Sequence, residues 1–353
     1  MRELLVKVLL SPFALLYGLI IGIRNRIYAW GVLKSAKYNL PVIGVGNLTL
    51  GGAGKTPHVE YLIRLLSPYM ITGILSRGYR RKSKGFRVVE RTDTSLTAGD
   101  EPLQYRLKYP EVTVAVSESR SIGIPLMLQY RPDIKVVLLD DSYQHLSVTP
   151  GLNILLTEYN RPYSVDYLLP MGRLREWKSG ANRADIIIIT KCPEHIDEDE
   201  KKLIKNSLRA LPHQKVFFSR YIYGLPYHIM QGIRQDLELY DELILLSAIA
   251  DESYLLDYLE KKVARVHTMI YEDHHYFSPH EISLLHQKYE NLRHQNAAIV
   301  TTEKDATRLI LHRDFIKEHQ LPILVLPIHV SFVDHDADAF DLVVQHFLLN
   351  FKV

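Results

Sequence analysis

The sequence predicts an α/β protein in which a doubly wound, mostly parallel sheet is followed by a second, smaller α/β domain and preceded by a membrane-associated helix. Three observations lead to this prediction. Short apolar segments alternate with helical segments from residue 41 onward, a glycine-rich turn follows the first apolar segment, and residues 8–23 carry no charge. A chain of 353 residues, of which 47% are hydrophobic, has enough apolar material for about two folded domains.

Charge and cysteine content narrow the functional classes. The formal net charge of +3 is too small to indicate nucleic-acid binding, and nothing in the composition indicates a protein partner. The single cysteine, Cys192, excludes an intrachain disulfide and agrees with a reducing compartment. Basic residues are concentrated in residues 1–37, with six Lys or Arg against the one acid Glu3, and again in residues 77–87.

Residues 1–37 are predicted to form an N-terminal membrane-associated segment. As a helix, the charge-free residues 8–23 would extend about 24 Å, less than the roughly 30 Å of a bilayer's hydrocarbon core. A signal peptide is disfavoured because no small-residue cleavage site follows the apolar segment. We expect a helix that enters the membrane from one side, with basic residues at the headgroups. A buried core helix is the alternative.

The first α/β domain is assigned to residues 38–220. Its predicted strands are short apolar segments of the kind that is buried in parallel sheets, and a charged helix at residues 194–205 lies near its edge. These strands are residues 41–46, 71–76, 112–116, 134–140, 152–157 and 186–190.

The second α/β domain is assigned to residues 221–335, after a boundary near residues 215–230. Ser278 and Pro279 begin a helix in this domain, since serine is a favoured N-cap and proline is favoured in the first turn. A C-terminal helix, residues 336–353, is a candidate to pack back on the first domain. The strands predicted here are residues 243–247, 297–302 and 323–326.

The clearest chemical feature is the segment GGAGKT at residues 51–56, between a predicted strand and a predicted helix. In a P-loop, backbone N–H groups and the helix dipole bind phosphates, the lysine adds positive charge, and the hydroxyl ligates Mg²⁺. Thr49 stands where the motif usually has its first glycine, and Gly51 and Gly52 could supply the backbone freedom instead. The fold is therefore predicted to be P-loop NTPase-like. The predicted nucleotide-binding residues are Thr49, Leu50, Gly51, Gly52, Ala53, Gly54, Lys55 and Thr56.

A magnesium site is predicted beside the P-loop. After Lys135, the apolar residues 136–139 run into Asp140 and Asp141, and an apolar strand that ends in acid is the usual partner of a P-loop. Thr56 together with Asp140 or Asp141 would hold Mg²⁺, so that ATP and Mg²⁺ are the expected cofactors.

These motifs alone leave a kinase, an ATPase and a GTPase open. The guanine motif of GTPases is approached by residues 190–193 (TKCP), which lack its acid. The main alternative to a kinase is a membrane-associated regulatory P-loop NTPase. A non-catalytic nucleotide-binding module is disfavoured because Lys55, Thr56 and Asp140 are all present.

Seven motifs in order give the chain a resemblance to a known family. They are residues 46–57 (GNLTLGGAGKTP), 76–79 (SRGY), 99–102 (GDEP), 140–145 (DDSYQH), 169–176 (LPMGRLRE), 273–275 (DHH) and 300–306 (VTTEKDA). With them, the chain resembles the tetraacyldisaccharide 4′-kinases, the lipid A 4′-kinases of Gram-negative bacteria. The family tolerates a non-glycine residue at the position of Thr49.

The resemblance implies transfer of the ATP γ-phosphate to the 4′-hydroxyl of a tetraacyldisaccharide 1-phosphate, which gives lipid IVA. It also implies a peripheral enzyme on the cytoplasmic face of the inner membrane, with two α/β domains around a cleft. Two segments depart from the family pattern. Ser142 and Tyr143 replace a usual Gly-Phe, and residues 248–252 (AIADE) replace a usual Gly-Ile-Gly/Ala-Asn-Pro.

The resemblance also assigns roles. Asp100 is the candidate catalytic base, and His274 would hydrogen-bond and orient it from the second domain. Spacing alone does not distinguish His274 from His275, and a structural histidine is the alternative. Lys55 would stabilise charge on the transferred phosphate.

Three further residues are weaker candidates. Glu176 is expected near the metal or the domain hinge. Arg77 and Arg120 are candidates to contact substrate phosphate or sugar, with a solvated surface role as the alternative for each.

Overall fold

The computed structural model describes residues 2–334 and 336–352. Over these residues the chain forms eleven α-helices, numbered in chain order: α1 (Arg2–Ala29), α2 (Lys55–Leu66), α3 (Ser95–Ala98), α4 (Asp100–Lys108), α5 (Arg120–Tyr130), α6 (Glu198–Leu208), α7 (Ser253–Glu260), α8 (Pro279–Leu292), α9 (Glu303–Leu309), α10 (Arg313–Glu318) and α11 (Asp336–Leu349).

The same described residues contain fourteen strands, which lie in two sheets. They are β1 (Val42–Asn47), β2 (Thr72–Ser76), β3 (Arg87–Val88), β4 (Thr113–Val116), β5 (Val136–Leu139), β6 (Leu152–Glu158), β7 (Ile186–Thr190), β8 (Lys215–Tyr223), β9 (Tyr227–His228), β10 (Glu242–Ser247), β11 (Arg265–Ile270), β12 (Ala297–Thr302), β13 (Ile323–Leu326) and β14 (Ile328–Phe332).

The large sheet has nine strands in the order β14-β8-β7-β6-β1-β5-β2-β4-β3. The seven strands from β8 to β4 are parallel, and the edge strands β14 and β3 are antiparallel. Every residue of β1, β2, β4, β5 and β7 is buried, as expected when helices cover both faces of a parallel sheet. The predicted doubly wound α/β fold is confirmed.

The second sheet has five strands in the order β11-β10-β12-β13-β9, of which only the edge strand β9 is antiparallel. Its core is separate from that of the large sheet, with Ile244, Leu246, Ile299 and Ile323 in one apolar cluster. The serine N-cap predicted at the start of α8 is confirmed, since the Ser278 hydroxyl accepts a hydrogen bond from the backbone N–H of Glu281.

The sheets do not follow the predicted boundary at residues 220 and 221. Strand β8 runs on to Tyr223, and β14, which was assigned to the second domain, pairs with β8 in the large sheet. Pro327 alone separates β13 from β14, so the sequence has no linker that would reveal the change of sheet. Helix α11 also lies on the large sheet, where Phe340 and Val344 join its apolar cluster.

Helix α1 is longer than the charge-free segment suggested. It includes flanking charged residues, and Val6–Ala29 is long and apolar enough to cross a membrane by length and composition. Most of its apolar side chains are exposed, so the alternative of a buried core helix is wrong. One side contacts the large domain, where the Trp177 indole N–H donates to the Gly18 carbonyl at 2.7 Å. A Cβ at residue 18 would lie 2.6 Å from Trp177 and Leu168, so glycine permits this close contact.

Candidate active site

A cavity of about 510 Å³ lies between the carboxyl ends of the large-sheet strands and the second domain. Ligands of open α/β sheets bind at this edge. All eight residues of the predicted P-loop line the cavity, together with Asp140 and Asp141. From the second domain, residues 249–251, 273–274 and 302–304 are among those that line it.

The P-loop connects β1 to α2 and needs glycine at two positions. Gly51 and Gly54 have φ of 105° and 85°, in the left-handed region that other residues rarely adopt. A Cβ on Gly54 would also lie 2.6 Å from the Tyr221 hydroxyl. Helix α2 begins at Lys55, so its N-terminal backbone N–H groups face the cavity, as an anion site requires.

The first half of the P-loop is held by the segment after β6. Thr49 pairs with Leu174 in an antiparallel bridge, flanked by hydrogen bonds of 2.7 Å from the Leu50 N–H to the Arg173 carbonyl and from the Arg175 N–H to the Leu48 carbonyl. Extended pairing needs no positive φ, and this explains why threonine can stand where the motif usually has glycine.

Lys55 and Arg175 place positive charge beside the P-loop. The Lys55 ammonium lies 3.3 Å from Asn47 Oδ1 and 3.7 Å from Asp141 Oδ1. The Arg175 guanidinium lies 3.2 Å from Asp141 Oδ1 and donates to the Asn47 carbonyl at 2.8 Å. Burial would raise the pKa of Asp141, but these two cations hold it well below its usual value. Asp141 is thus an ionised partner of both cations.

Asp140 differs from its neighbour in having an unused oxygen. Its Oδ2 accepts a hydrogen bond from Ser76 Oγ at 3.1 Å, while the buried Oδ1 has no hydrogen-bond partner among the described residues. Burial, with the charges of Glu101 and Asp141, raises the pKa of Asp140 to about 6. A cation at Oδ1 would relieve both the missing partner and the charge repulsion.

This geometry fits Mg²⁺ bound mainly through a substrate. Within the described residues, no group of three or more His, Cys, Asp or Glu side chains is placed to hold a metal by itself. Mg²⁺ usually takes one or two protein carboxylates plus phosphate oxygens and waters. Of the predicted ligands, Thr56 at the start of α2 and Asp140 therefore fit best, while Asp141 is engaged by Lys55 and Arg175.

Asp100 faces the second domain from the first residue of α4. Gly99 before it has φ of 94° and packs on Gly78, where a Cβ would come within 3.1 Å of backbone. Asp100 is 2% exposed, and its Oδ2 is hydrogen-bonded to His274 Nδ1 at 2.9 Å. The buried Oδ1 has no hydrogen-bond partner in the described part of the chain. One oxygen of this carboxylate is therefore held across the domain interface while the other is unused.

The structure identifies His274 rather than His275 as the partner of Asp100. His275 Nε2 lies 3.0 Å from both carboxylate oxygens of Glu281, and its ring stacks on Tyr271. His274 instead sits in a turn with φ of 61°, which one guanidinium nitrogen of Arg80 holds by donating to the carbonyls of Asp273 and His274.

Four non-glycine residues that line the cavity have left-handed backbone conformations. They are Arg80, Asp141, Lys191 and His274, with φ between 45° and 61°. Such conformations cost about 1–3 kcal/mol each and concentrate at functional sites, where the surrounding structure holds them in place.

The three weaker candidates lie in different surroundings. Arg77 is exposed and lines the cavity, as a substrate-binding residue would. Arg120 is fully buried, so a solvated surface role is excluded, and it donates to the Asp140 carbonyl at 2.7 Å. Glu176 is buried, and its two oxygens accept hydrogen bonds from Asn25, Gln144 and Arg183. These contacts favour a positioning role for Glu176 over metal binding.

Sequence reasoning missed an ion pair between the domains. Lys191, at the end of β7, is 4% exposed and lies 2.7 Å from Glu158 and 2.9 Å from Asp251 of the second domain. Burial would lower the pKa of Lys191, but these two carboxylates raise it above its usual value. Asp251 belongs to the segment that departs from the family pattern, where asparagine is usual. The sequence shows that residue 251 is an acid, but it does not indicate that Lys191 is its partner.

Sequence reasoning also missed the charges around Glu101. Burial would raise the pKa of this carboxyl, but Lys304 and His274 lower it to about 2. Lys304 is 3.2 Å from Glu101 Oε1 and joins α4 to α9 of the second domain. The motif VTTEKDA contains Lys304, but the neighbouring sequence does not indicate that this lysine contacts α4.

Comparisons with known proteins identify the family of the chain. The family model described as LpxK, tetraacyldisaccharide-1-P 4′-kinase, matches residues 6–348. Proteins named tetraacyldisaccharide 4′-kinase from Bacteroides thetaiotaomicron and Flavobacterium johnsoniae are each 39% identical, over 96% and 98% of this chain and 92% and 98% of their own lengths.

A solved structure is similar as well. The crystal structure of LpxK from Aquifex aeolicus in complex with ATP has a TM-score of 0.74 and 29% identity, and the match covers 97% of this chain and 99% of that one. The order of the motifs, the architecture and the cavity thus agree with one assignment: the chain belongs to the LpxK family of tetraacyldisaccharide-1-P 4′-kinases.

Proposed function

We propose that this chain transfers the γ-phosphate of ATP to the 4′-hydroxyl of tetraacyldisaccharide 1-phosphate, giving lipid IVA, at the cytoplasmic face of the inner membrane. The observation that carries the proposal is the hydrogen bond of the buried Asp100 to His274, which lines the same cavity as the intact P-loop. Family membership and the names of the relatives support the same reaction.

The P-loop side of the cavity suits ATP. Backbone N–H groups of residues 51–54 and the start of α2 would hold the phosphates, and Lys55 would stabilise charge that develops on the transferred group. Arg175 keeps Asp141 ionised and near Lys55, so it would fix the position of the lysine. Mg²⁺, held by Thr56 and Asp140, would neutralise the phosphates when bound.

The opposite side suits a hydroxyl acceptor. Asp100 Oδ1 is buried and without a donor in the described residues, and both its neighbour Glu101 and its partner His274 line the cavity. This oxygen would accept the hydrogen bond of a sugar hydroxyl. The acceptor oxygen forms its bond to the γ-phosphorus as the bond to the β,γ-bridging oxygen breaks, ADP leaves, and the proton passes to Asp100. Since the transition state is loose, orientation of the hydroxyl matters more than basicity.

The surroundings suit an anionic lipid. A second cavity of about 590 Å³ adjoins Arg77 and is lined mainly by basic residues: Arg77, Arg80, Arg81, Lys82 and Lys84. The exposed apolar face of α1 would enter the bilayer and hold the cavity near the membrane surface. A membrane-associated regulatory NTPase without a lipid acceptor does not account for the Asp100–His274 pair, and is not favoured.

Label transfer tests the reaction. Incubated with γ-labelled ATP, Mg²⁺ and tetraacyldisaccharide 1-phosphate in mixed micelles, the protein should place label in the lipid. Lys55→Ala should reduce this transfer by about a hundredfold or more because it removes positive charge from the transferred phosphate. Thin-layer chromatography of the lipid and of free phosphate measures both products. Label in free phosphate alone would reject the kinase in favour of the NTPase.

The two acidic residues after β5 should differ in their effect on magnesium. Asp140→Asn removes the charge of the free oxygen, so it should raise the Mg²⁺ concentration for half-maximal transfer by about tenfold or more. Asp141→Asn is the matched control, because Asp141 pairs with Lys55 and Arg175, and it should change that concentration much less. Mg²⁺ titration at saturating ATP measures both. An equal or larger shift for Asp141→Asn would contradict the assignment.

Membrane binding should depend on the exposed face of α1. The variant Phe13→Ser, Leu16→Ser, Ile20→Ser alters side chains that are 61%, 59% and 59% exposed, and it should release the protein from anionic phospholipid vesicles. ATP binding should persist because these side chains point away from the rest of the protein. Flotation and equilibrium dialysis measure the two properties.

A matched variant controls for the loss of apolar surface. Leu203→Ser with Leu239→Ser changes two residues that are equally exposed but lie outside α1, and it should float with the vesicles as the parent protein does. If the α1 variant still floated with the vesicles, membrane binding would have to be assigned to the basic residues near Arg77 instead.

A further inference from the structure

Lys304, the second residue of α9, lies beside His274 on the side away from Asp100. Its ammonium nitrogen is 3.0 Å from His274 Nε2, 3.1 Å from Asp273 Oδ1 and 3.2 Å from Glu101 Oε1. The side chain is 20% exposed. Both ring nitrogens of His274 are therefore occupied, Nδ1 by Asp100 and Nε2 by Lys304.

The number of donors decides how these groups share their protons. A lysine ammonium has three N–H donors and no acceptor, and Lys304 has three neighbours that can accept: two carboxylates and one ring nitrogen. Burial would lower the pKa of Lys304, but Glu101 and Asp273 raise it above its usual value, so the ammonium form persists. An ammonium facing Nε2 requires that Nε2 carry a lone pair, and the ring proton must then be on Nδ1.

The other tautomer would be unfavourable at both ends of the ring. A proton on Nε2 would point at the Lys304 ammonium, 3.0 Å away. A lone pair on Nδ1 would face the Asp100 carboxylate, 2.9 Å away. Arg308 is fully buried, with its Nε 3.7 Å from Asp100 Oδ2, and it adds positive charge behind the same oxygen.

We propose that Lys304 is a positioning residue that fixes His274 as the Nδ1–H tautomer, so that His274 donates to Asp100 Oδ2 and leaves Oδ1 for the acceptor hydroxyl. The part that concerns turnover rests on the proposed kinase function, whereas the tautomer does not. The competing role for Lys304 is direct contact with the nucleotide phosphates, since the residue also lines the cavity.

The tautomer can be read without turnover. In protein labelled with ¹⁵N-histidine, His274 is assigned by comparison with His274→Gln, and its two nitrogen shifts report which one carries the proton. The parent protein should show the Nδ1–H form, and Lys304→Met should shift His274 toward the Nε2–H form. Glu101 Oε1 and Asp273 Oδ2 each lie 3.8 Å from His274 Nε2, so a doubly protonated ring is a further outcome. An Nε2–H ring or a doubly protonated ring in the parent protein, or an unchanged ring in Lys304→Met, would overturn the proposal. Failure of the kinase assignment would leave this measurement unaffected.

Kinetics separate positioning from phosphate contact. Lys304→Met should lower kcat for lipid phosphorylation at least about tenfold, because loss of the correct histidine tautomer is costly in comparable dyads. The KM for ATP should stay within about twofold. In a double-mutant cycle, Lys304→Met should add little to His274→Gln, since both act through one ring.

Two further variants keep the cycle interpretable. Lys304→Arg retains charged donors and should recover part of the lost kcat. Lys261→Met removes a lysine that is 71% exposed just after α7 and should match the parent protein in kcat and thermal midpoint. Multiplicative losses in the double variant, or a large rise in the KM for ATP with Lys304→Met, would instead assign Lys304 to the phosphates.

Discussion

The 2.9 Å hydrogen bond between Asp100 Oδ2 and His274 Nδ1 is the interaction on which the geometry of the site depends. Asp100 belongs to the large domain and His274 to a turn between β11 and α8 of the second domain, so this contact exists only when the two domains lie together. Gly99 lets α4 start against Gly78, and Arg80 holds the His274 turn through two carbonyls. Residues from both domains, Glu101 and His274, therefore line the cavity next to this hydrogen bond.

Segment 166–177 gives the molecule a second connection, between the membrane helix and the P-loop. At one end, Trp177 donates to a carbonyl of α1, and the Tyr17 hydroxyl donates to the Arg175 carbonyl. In its middle, the backbone of residues 173–175 pairs with residues 48–50. The same few residues contact both α1, which is expected at the lipid, and the P-loop, which is expected to bind ATP. They would therefore fix the position of the ATP site relative to the membrane helix.

Features that depend on local sequence could be predicted. A buried strand, a glycine-rich turn and Lys-Thr at a helix start place the P-loop from contiguous residues, and an apolar strand ending in Asp140 places the acid beside it. Backbone chemistry determines both patterns. The departure at Thr49 is the exception, since its structural reason is extended pairing with Leu174, which is distant in the sequence.

Features that depend on long-range packing could not be predicted. Strand β14 is only one residue away from β13, yet it pairs in the other sheet. Arginine is usually a surface residue, but Arg120 is buried and donates a hydrogen bond to the Asp140 carbonyl. Lys191 and Lys304 find their partners 60 and about 200 residues away in the chain, where no spacing rule applies. The resemblance supplied Asp100 and His274, while the structure was needed to choose His274 over His275.

The most direct test of the account is the effect of Asp100→Asn on two quantities measured with the same protein. If Asp100 orients the acceptor hydroxyl and takes its proton, Asp100→Asn should lower kcat for lipid phosphorylation by about a hundredfold or more, within the range for loss of a general base. The Kd for ATP should change little, because the P-loop and its contacts are untouched. Turnover close to that of the parent protein would contradict the account, and so would a loss of activity that follows entirely from weaker ATP binding.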